Sequence, residues 1–433
     1  MDSSPVQGQA HHLTPELKYN LLLRIAERVS GTLELEEVLD HLIETVHSVV
    51  VYDAAGIFVL NRTISPIVRR REANLIAGVA SRGFDKPHPE SDPMLRFGRG
   101  IVGHVIRTGL SVVAPDVRLN PHYVAGRFGT QSEIAVPLTG SGRVIGALNL
   151  ESDRLNAYSE SDVATLQFFA SAAAIAIERA ILHSQLVEKR RIENQLKIAR
   201  EVQTSLLPGR SPVLPGFDFA ALNLPTWEIG GDCYDYIEFP TGHVGVAVAD
   251  VSGKGVPAAL IMATFRAALR TQVRVDHELS HVMQAVNGLL GESIGSSAFV
   301  TAVYGVLAPD SGWFVYSNCG HNPPLLLDRQ GSVRRLDRGG PALGVFPDVH
   351  FDADAARIEP GDTLVLYTDG VVEVTDGDDR EFGEELLEQV IRDTAGLSAA
   401  ETIRAVVDRT RAFAADESYP DDFTIVVIKR RPT

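Results

Sequence analysis

Cysteine is nearly absent from this chain of 433 residues: there are two, Cys233 and Cys319. That excludes a disulfide scaffold and a four-cysteine zinc site, and it suits a reducing compartment. Neither lies in the first half, so a thiol-linked chromophore has no attachment point there. Cationic side chains are also in short supply, 40 Lys plus Arg against 56 Asp plus Glu, for a net charge of -16. A protein that grips nucleic acid or an anionic membrane needs the opposite balance. Long apolar runs are missing too. The longest nearly apolar stretch, Leu166 to Ile177, carries Gln167 and Ser171 and falls short of the ~18–20 residues of a span. Met1 to His12 is polar, with neither the cationic region nor the apolar core of a signal peptide. These absences predict a cytoplasmic protein without nucleic-acid or membrane partners, opening with a short disordered tail over residues 1–13.

The rest is ordinary globular material, 45% apolar and 22% charged, long enough for two or three domains at roughly 150 residues each. The acidic excess is concentrated in one half. Pro208 to Thr433 holds 18 Lys plus Arg against 33 Asp plus Glu, while the other 207 residues hold 22 against 23. A solvated acidic surface explains most such excesses. The alternative is that some of the carboxylates converge to hold cations.

Periodicity divides the chain. Leu21, Ile25 and Val29, then Leu39, Leu42, Ile43 and Val46, recur at helical spacing. Short apolar runs follow at Ala54–Leu60, Ile134–Leu138 and Arg143–Leu150, bounded by Gly, Asn and Ser, and read as strands. Between them a short helix opens at Gly98-Arg99-Gly100 and stops near Gly109. This predicts an α+β domain over residues 14–183. No Pro or Gly occurs from Ser159 to Leu207, so the last helix of that domain should continue as a linker over 184–207. The positions Ile192, Gln195, Ala199, Val202 and Leu206 keep the 3,4 spacing of a dimer seam; an exposed charged helix is the other reading. Pro208 and Pro212 then break the helix. In 208–433, strands at Val244–Ala249, Phe299–Leu307, Trp313–Ser317, Thr363–Tyr367 and Thr424–Ile428 alternate with helices at Pro257–Thr271, Gly383–Thr394 and Ala399–Ala414. An antiparallel sandwich flanked by helices is expected.

Four short strings in this half set Asp beside an apolar strand: Gly230-Gly231-Asp232, Ala249-Asp250-Val251-Ser252-Gly253-Lys254-Gly255, Tyr367-Thr368-Asp369-Gly370 and Asp421-Asp422-Phe423-Thr424. Asp is a poor strand residue, and burying it without a partner is costly. Any one string is most simply a turn, but four at strand ends point to convergence. Hard divalent cations take carboxylate, carbonyl and water oxygens without His or Cys. Two such ions sharing a carboxylate make water a nucleophile near neutral pH and stabilise charge on a phosphoryl group.

These strings, with Phe299-Val300-Thr301 and Asn318-Cys319-Gly320-His321-Asn322-Pro323-Pro324, follow one another from Glu201 to Lys429 in an order that resembles SpoIIE-like phosphatases. These are a branch of the PPM (type 2C) metal-dependent Ser/Thr protein phosphatases. The segment Ala199 to Pro208 is similar to the linker that precedes such domains. The first half resembles a GAF sensor domain through Gly98 to Gly109, the turn Val113-Ala114-Pro115-Asp116 and the strand Gly146 to Leu150. The resemblance implies a GAF domain with an antiparallel sheet, a helical linker, and a PPM-type αββα sandwich. It implies two Mn²⁺ or Mg²⁺ ions, with Asp250 bridging, Asp232 and the Val251 carbonyl on one ion, and Asp369 with Asp421 on the other. Asp421 rather than Asp422 is expected because the family uses the first acid of that pair. The implied substrate is a phosphorylated protein such as a STAS-type anti-sigma-factor antagonist, and the GAF half would take an unidentified small-molecule or protein signal.

Lys254 reads either as a contact to substrate phosphate or as a solvated lysine, and His321 as a structural histidine. Cys233 and Cys319, where relatives carry other residues, read as packing changes. His104 and His122 read as separate surface or core histidines. Gly230-Gly231-Asp232 also evokes diguanylate cyclases, but Cys233 and Tyr234 stand where those enzymes have an acid and Phe. Ser252-Gly253-Lys254-Gly255 fails as a P-loop, because Val248 and Gly255 replace the leading Gly and the hydroxyl residue. The rival of a different class is a catalytically silent, ligand-sensing regulatory dimer. The presence of all four family acids argues against it.

Overall fold

The computed structural model describes residues 32–60, 76–84, 99–294, 298–414 and 419–432, with scattered positions between 16 and 27. The tail expected over 1–13, the stripe positions Leu21 and Val29, and Gly98 lie outside the described residues. The chain divides into two compact units, Met1–Ile192 and Glu193–Thr433.

The first unit contains α1 (Leu35–His47), β1 (Ala54–Leu60), β2 (Ile76–Arg82), α2 (Gly100–Thr108), β3 (Val112–Ala114), β4 (Ser132–Gly140), β5 (Arg143–Ser152) and the start of α3 (Glu160–Leu206). The strands form one antiparallel sheet in the order β2-β1-β5-β4-β3. Strand alternation assigns its two faces. Ile134, Val136, Leu138, Leu148 and Leu150 pack against α1 and the first half of α3, through Leu39, Leu42, Phe169, Ala173 and Ile177. The opposite face carries Phe58, Leu60, Ala135 and Ala147 and packs on Ile101, Val105 and Ile106 of α2. Helix α2 ends where Gly109 takes φ 70°, a left-handed cap that glycine enters without Cβ strain. With no Pro or Gly to break it, α3 runs unbroken for 47 residues. One 18-residue window of it is apolar enough to cross a membrane, and 56% of that window is buried. Its buried members Leu166, Phe169, Ala170, Ala173, Ala174 and Ile177 belong to the core of this unit.

The second unit is a sandwich. Its strands are β6 (Phe217–Leu224), β7 (Cys233–Glu238), β8 (Val244–Val251), β9 (Val300–Ala308), β10 (Trp313–Cys319), β11 (Leu325–Leu327), β12 (Val333–Arg335), β13 (Gly339–Gly340), β14 (Asp354–Arg357), β15 (Thr363–Tyr367) and β16 (Phe423–Arg430). Its helices are α4 (Val256–Gln272), α5 (Leu279–Ser293), α6 (Gly383–Asp393) and α7 (Ala399–Phe413). One sheet has the order β13-β10-β9-β8-β7, with β14 also on β10, and the other runs β12-β11-β15-β16-β6. Val246, Val248, Val303 and Phe314 of the first sheet meet Phe219, Leu364, Leu366, Val426 and Ile428 of the second. Outside, Met262, Phe265, Met283 and Val286 of α4 and α5 cover the first sheet, and Leu387, Ile391, Ile403 and Val406 of α6 and α7 cover the second. The layers are therefore αββα within an α+β chain.

The expected strands and helices of this half all occur, with ends shifted by a residue or two, and the hairpin at Asp310-Ser311-Gly312 joins β9 to β10. Sequence reading missed β6, β7, the short strands β11 to β14, and α5. Strand β7, Cys-Tyr-Asp-Tyr-Ile-Glu, hides because it is a polar edge strand whose Asp235 is neutralised inside the fold by Arg266 and Arg270. Cys233 and Cys319 are both buried in the core beneath α4 and α5, and burial pushes the Cys319 thiol up to about 12. Both are packing residues, as expected.

Candidate active site

Antiparallel pairing places all four Asp strings at one end of the sandwich. Cys233 pairs with Ala249, so Asp232 before β7 lies beside Asp250 near the end of β8. Tyr367 pairs with Ile425, so Asp369 after β15 lies beside Asp421 and Asp422 before β16. A hydrogen bond crosses between the sheets: Thr368 Oγ1 donates to Asp232 Oδ2 at 2.6 Å. Thr368 is also held by the backbone N–H of Thr424, 3.1 Å away. Sequence reading quoted Thr368 in its motif without a role; the role depends on a contact 136 residues away in the chain.

Asp232 is buried, and Asp250, Asp369 and Asp421 are half-buried. Their mutual influence is strong. Burial and then the charge of Asp250 hold Asp232 well above the usual carboxylate range. Burial and Asp369 push Asp250 up to about 7. Burial and Asp421 raise Asp369. Carboxylates that disfavour each other's ionisation in this way hold a proton more tightly or take up a cation.

Asp421 and Asp422 are used differently. Asp422 accepts from two backbone N–H groups, Thr226 on Oδ1 at 2.8 Å and Gly231 on Oδ2 at 2.7 Å. Asp421 is ion-paired through Oδ2 with Lys254 Nζ at 2.8 Å, and the same Nζ donates to the Pro420 carbonyl at 3.0 Å. Lys254 is therefore neither a free solvated lysine nor an open anion contact; it neutralises one acid of the cluster. The glycines are steric requirements. A Cβ on Gly230 would run into the Asp422 carboxylate, one on Gly370 into the Asp422 carbonyl, and one on Gly231 would lie 2.9 Å from the Val251 carbonyl oxygen.

Two supporting contacts were not legible in advance. Gln203, near the end of α3, donates from Nε2 to the Gly230 carbonyl at 2.7 Å and accepts at Oε1 from the Gly230 N–H at 3.2 Å. It thus clamps the peptide two residues before Asp232. Thr301, paired with Asp250 across β8 and β9, shares a 2.8 Å hydrogen bond with His321 Nδ1. The His321 backbone N–H donates to Asn318 Oδ1 at 2.8 Å. Burial lowers His321 to about 4, so its ring is neutral at physiological pH. A structural histidine fits this environment.

The donor set consists of carboxylates and a carbonyl, the oxygen chemistry of Mg²⁺ and Mn²⁺. Among the described residues no three His, Cys, Asp or Glu side chains stand close enough to form a metal-binding group as they are.

Residues 240–431 match the family model for Stage II sporulation protein E (SpoIIE), and residues 32–178 match that for the GAF domain. Over 242 residues the chain is 28% identical to the phosphoserine phosphatase RsbU of Bacillus subtilis, covering 55% of this chain and 71% of RsbU. It is 29% identical over 264 residues to protein IcfG of Synechocystis, covering 54% of this chain but 41% of IcfG. The SiaA-PP2C domain of Pseudomonas aeruginosa shares the fold, at 23% identity and a TM-score of 0.51, over 56% of this chain and 98% of that one. The chain thus joins a region matching the GAF domain to a SpoIIE-type domain, and over the latter it is similar to a phosphoserine phosphatase and shares the PP2C fold.

Proposed function

We propose that the chain is a metal-dependent protein serine/threonine phosphatase under the control of its GAF domain. Asp232, Asp250, Asp369 and Asp421, with the Val251 carbonyl, would hold two Mn²⁺ or Mg²⁺ ions, Asp250 serving both. One observation carries the reading. Acids from four separate segments meet at one end of the sandwich, where burial and neighbouring acid charge raise the proton affinity of Asp232, Asp250 and Asp369. That arrangement costs stability unless cations relieve it. Asp422, with both oxygens committed to backbone N–H groups, would position the Gly230–Asp232 loop and leave Asp421 as the ligand.

Bound ions would activate water and share the negative charge of the phosphoryl group. The protein's own contribution is placement. Thr368 fixes the rotamer of Asp232, Gln203 and Asp422 fix the loop that carries it, and Lys254 would give up Asp421 when cations arrive, leaving an ammonium beside the site. The relative's name, phosphoserine phosphatase, supports a phosphorylated protein as substrate. The motif resemblance points to a STAS-type anti-sigma-factor antagonist.

Hydrolysis of an aryl phosphate by the full chain with Mn²⁺ tests the reading. Turnover that is lost in Asp250→Asn is expected. No turnover with any divalent metal would leave the silent regulatory dimer instead.

A further inference from the structure

In the second unit, the first sheet extends past the helices that cover its outer face. Strand alternation puts Gly245 of β8, Tyr304, Val306 and Ala308 of β9, and Val315 of β10 on that face. The cover stops at Val273 and Leu279, where the chain turns from α4 into α5. Beyond the turn, Gly245 and Ala308 are too small to fill the space. A cavity of about 570 Å³ results, walled by Phe239, Val273, Leu279, Val306 and Val315. It is remote from the acid cluster. Gly245 precedes Asp250 by five residues on one strand, about 17 Å at ~3.4 Å per residue.

Two observations point to a ligand. Tyr304 lines the cavity and is 1% exposed. Its hydroxyl lies over Gly245, where a Cβ would come within 2.9 Å of it. Among the described residues nothing hydrogen-bonds this hydroxyl, and burial alone raises the phenol. A buried tyrosine hydroxyl usually has a partner, and leaving it without one is costly. The other polar groups of the lining, by contrast, are engaged or set at the rim. Thr241 Oγ1 and His243 Nδ1 share a 2.7 Å hydrogen bond. Asp276 accepts from the Glu278 N–H at 3.0 Å and pairs with His281 Nδ1 at 3.1 Å. The exposed His277 packs edge-on against Phe239. No Lys or Arg lines the cavity among the described residues.

We infer that this cavity binds a small neutral molecule, mostly hydrocarbon, whose one carbonyl oxygen accepts a hydrogen bond from Tyr304. The volume falls within the range of about 300–1,000 Å³ common to small-molecule sites with apolar walls and few polar groups. A carboxylate would be dehydrated here with no cation beside it. An ammonium would have to take Asp276 from His281. A peptide would bring amide groups that these walls leave unpaired. The inference concerns a site apart from the acids and does not depend on the phosphatase reading.

Calorimetry and ligand-observed NMR on the full chain, with and without Mn²⁺, test it with octan-2-one and acetophenone as probes. Octanoate and octylammonium serve as charged counterparts. Saturable binding of at least one ketone is expected, with weaker or no binding of the two ions. Tyr304→Phe loses no hydrogen bond within the protein, so it should melt close to wild type. It should bind the ketone about 3- to 10-fold more weakly. Val306→Trp fills the cavity and should abolish binding, while its melting curve reports whether it folds. Failure of both ketones to bind overturns the inference. So does unchanged affinity in either variant, binding of octanoate or octylammonium as tight as that of the ketone, or displacement of the ketone by Mn²⁺.

Discussion

Ionising Asp250 is unfavourable in the folded chain for a local reason. It is half-buried, and Asp369, Asp421 and Asp422 all oppose its charge. Asp250→Asn removes that repulsion, so the metal-free variant should melt above metal-free wild type while losing turnover and losing the rise in Tm that Mn²⁺ gives wild type. A variant that still gained Tm with Mn²⁺ would show that Asp250 is not the shared ligand. The pH dependence has a defined sign. The folded value of about 7 lies above the ordinary 3.8, so the contribution of Asp250 to metal-free stability is fully present below pH 3.8. It is lost as pH rises through about 7. Divalent ions compete with that proton. The Mn²⁺-induced rise in Tm should therefore grow across the same window, which differential scanning calorimetry in matched buffers would detect. A rise that shrank with increasing pH would contradict the assignment.

At the scale of elements, the four Asp strings were legible because Asp beside an apolar strand violates the local pattern, and only convergence explains four such violations. The strands that carry them were legible for the opposite reason: Val244–Val251 and Thr363–Tyr367 are almost wholly buried and apolar. What sequence could not supply was partnership. Nothing in Gln203 distinguishes it from the exposed polar residues around it, and its target, Gly230, is 27 residues away. Through Gln203 the end of α3 is tied to the Asp232 loop. Gln203→Ala removes two partly buried hydrogen bonds, at a cost of about 1–3 kcal/mol, and should weaken Mn²⁺ binding about tenfold. Gln203→Glu should be worse than Ala, because its carboxylate meets the Gly230 carbonyl where Nε2 now donates. Mn²⁺ titration followed by electron paramagnetic resonance separates the two, and equal affinities in all three proteins would remove the clamp from the site.

For the whole molecule, the second half of α3 poses the remaining question. Beyond Ile181 the helix leaves its apolar side chains uncovered in a single chain: Leu182 is 59% exposed, Ile192 47%, Val202 59%. Isolated exposed apolar residues are unremarkable, but Ile192, Gln195, Ala199, Val202 and Leu206 repeat at the spacing that a second helix covers. Gln195 interrupts that stripe, so association through it should be specific in register and modest in strength. We propose a homodimer through this seam, in which a signal received by the GAF domain changes the pairing of two α3 helices and, through Gln203, the loop that bears Asp232. Light scattering on the full chain should give twice the monomer mass. The double substitution Ile192→Glu and Val202→Glu places acids at two seam positions, one of each spacing class, without touching either core, and should give the monomer mass with an unchanged circular dichroism spectrum. The same variant separates assembly from chemistry: if pairing transmits the signal, it should keep binding Mn²⁺ while its turnover no longer responds to the GAF half. A wild-type chain that is monomeric at every concentration tested would leave Ile192 and Val202 as solvent-facing residues of a rigid spacer. Control would then have to pass along one helix, from the GAF core to the Gly230 peptide.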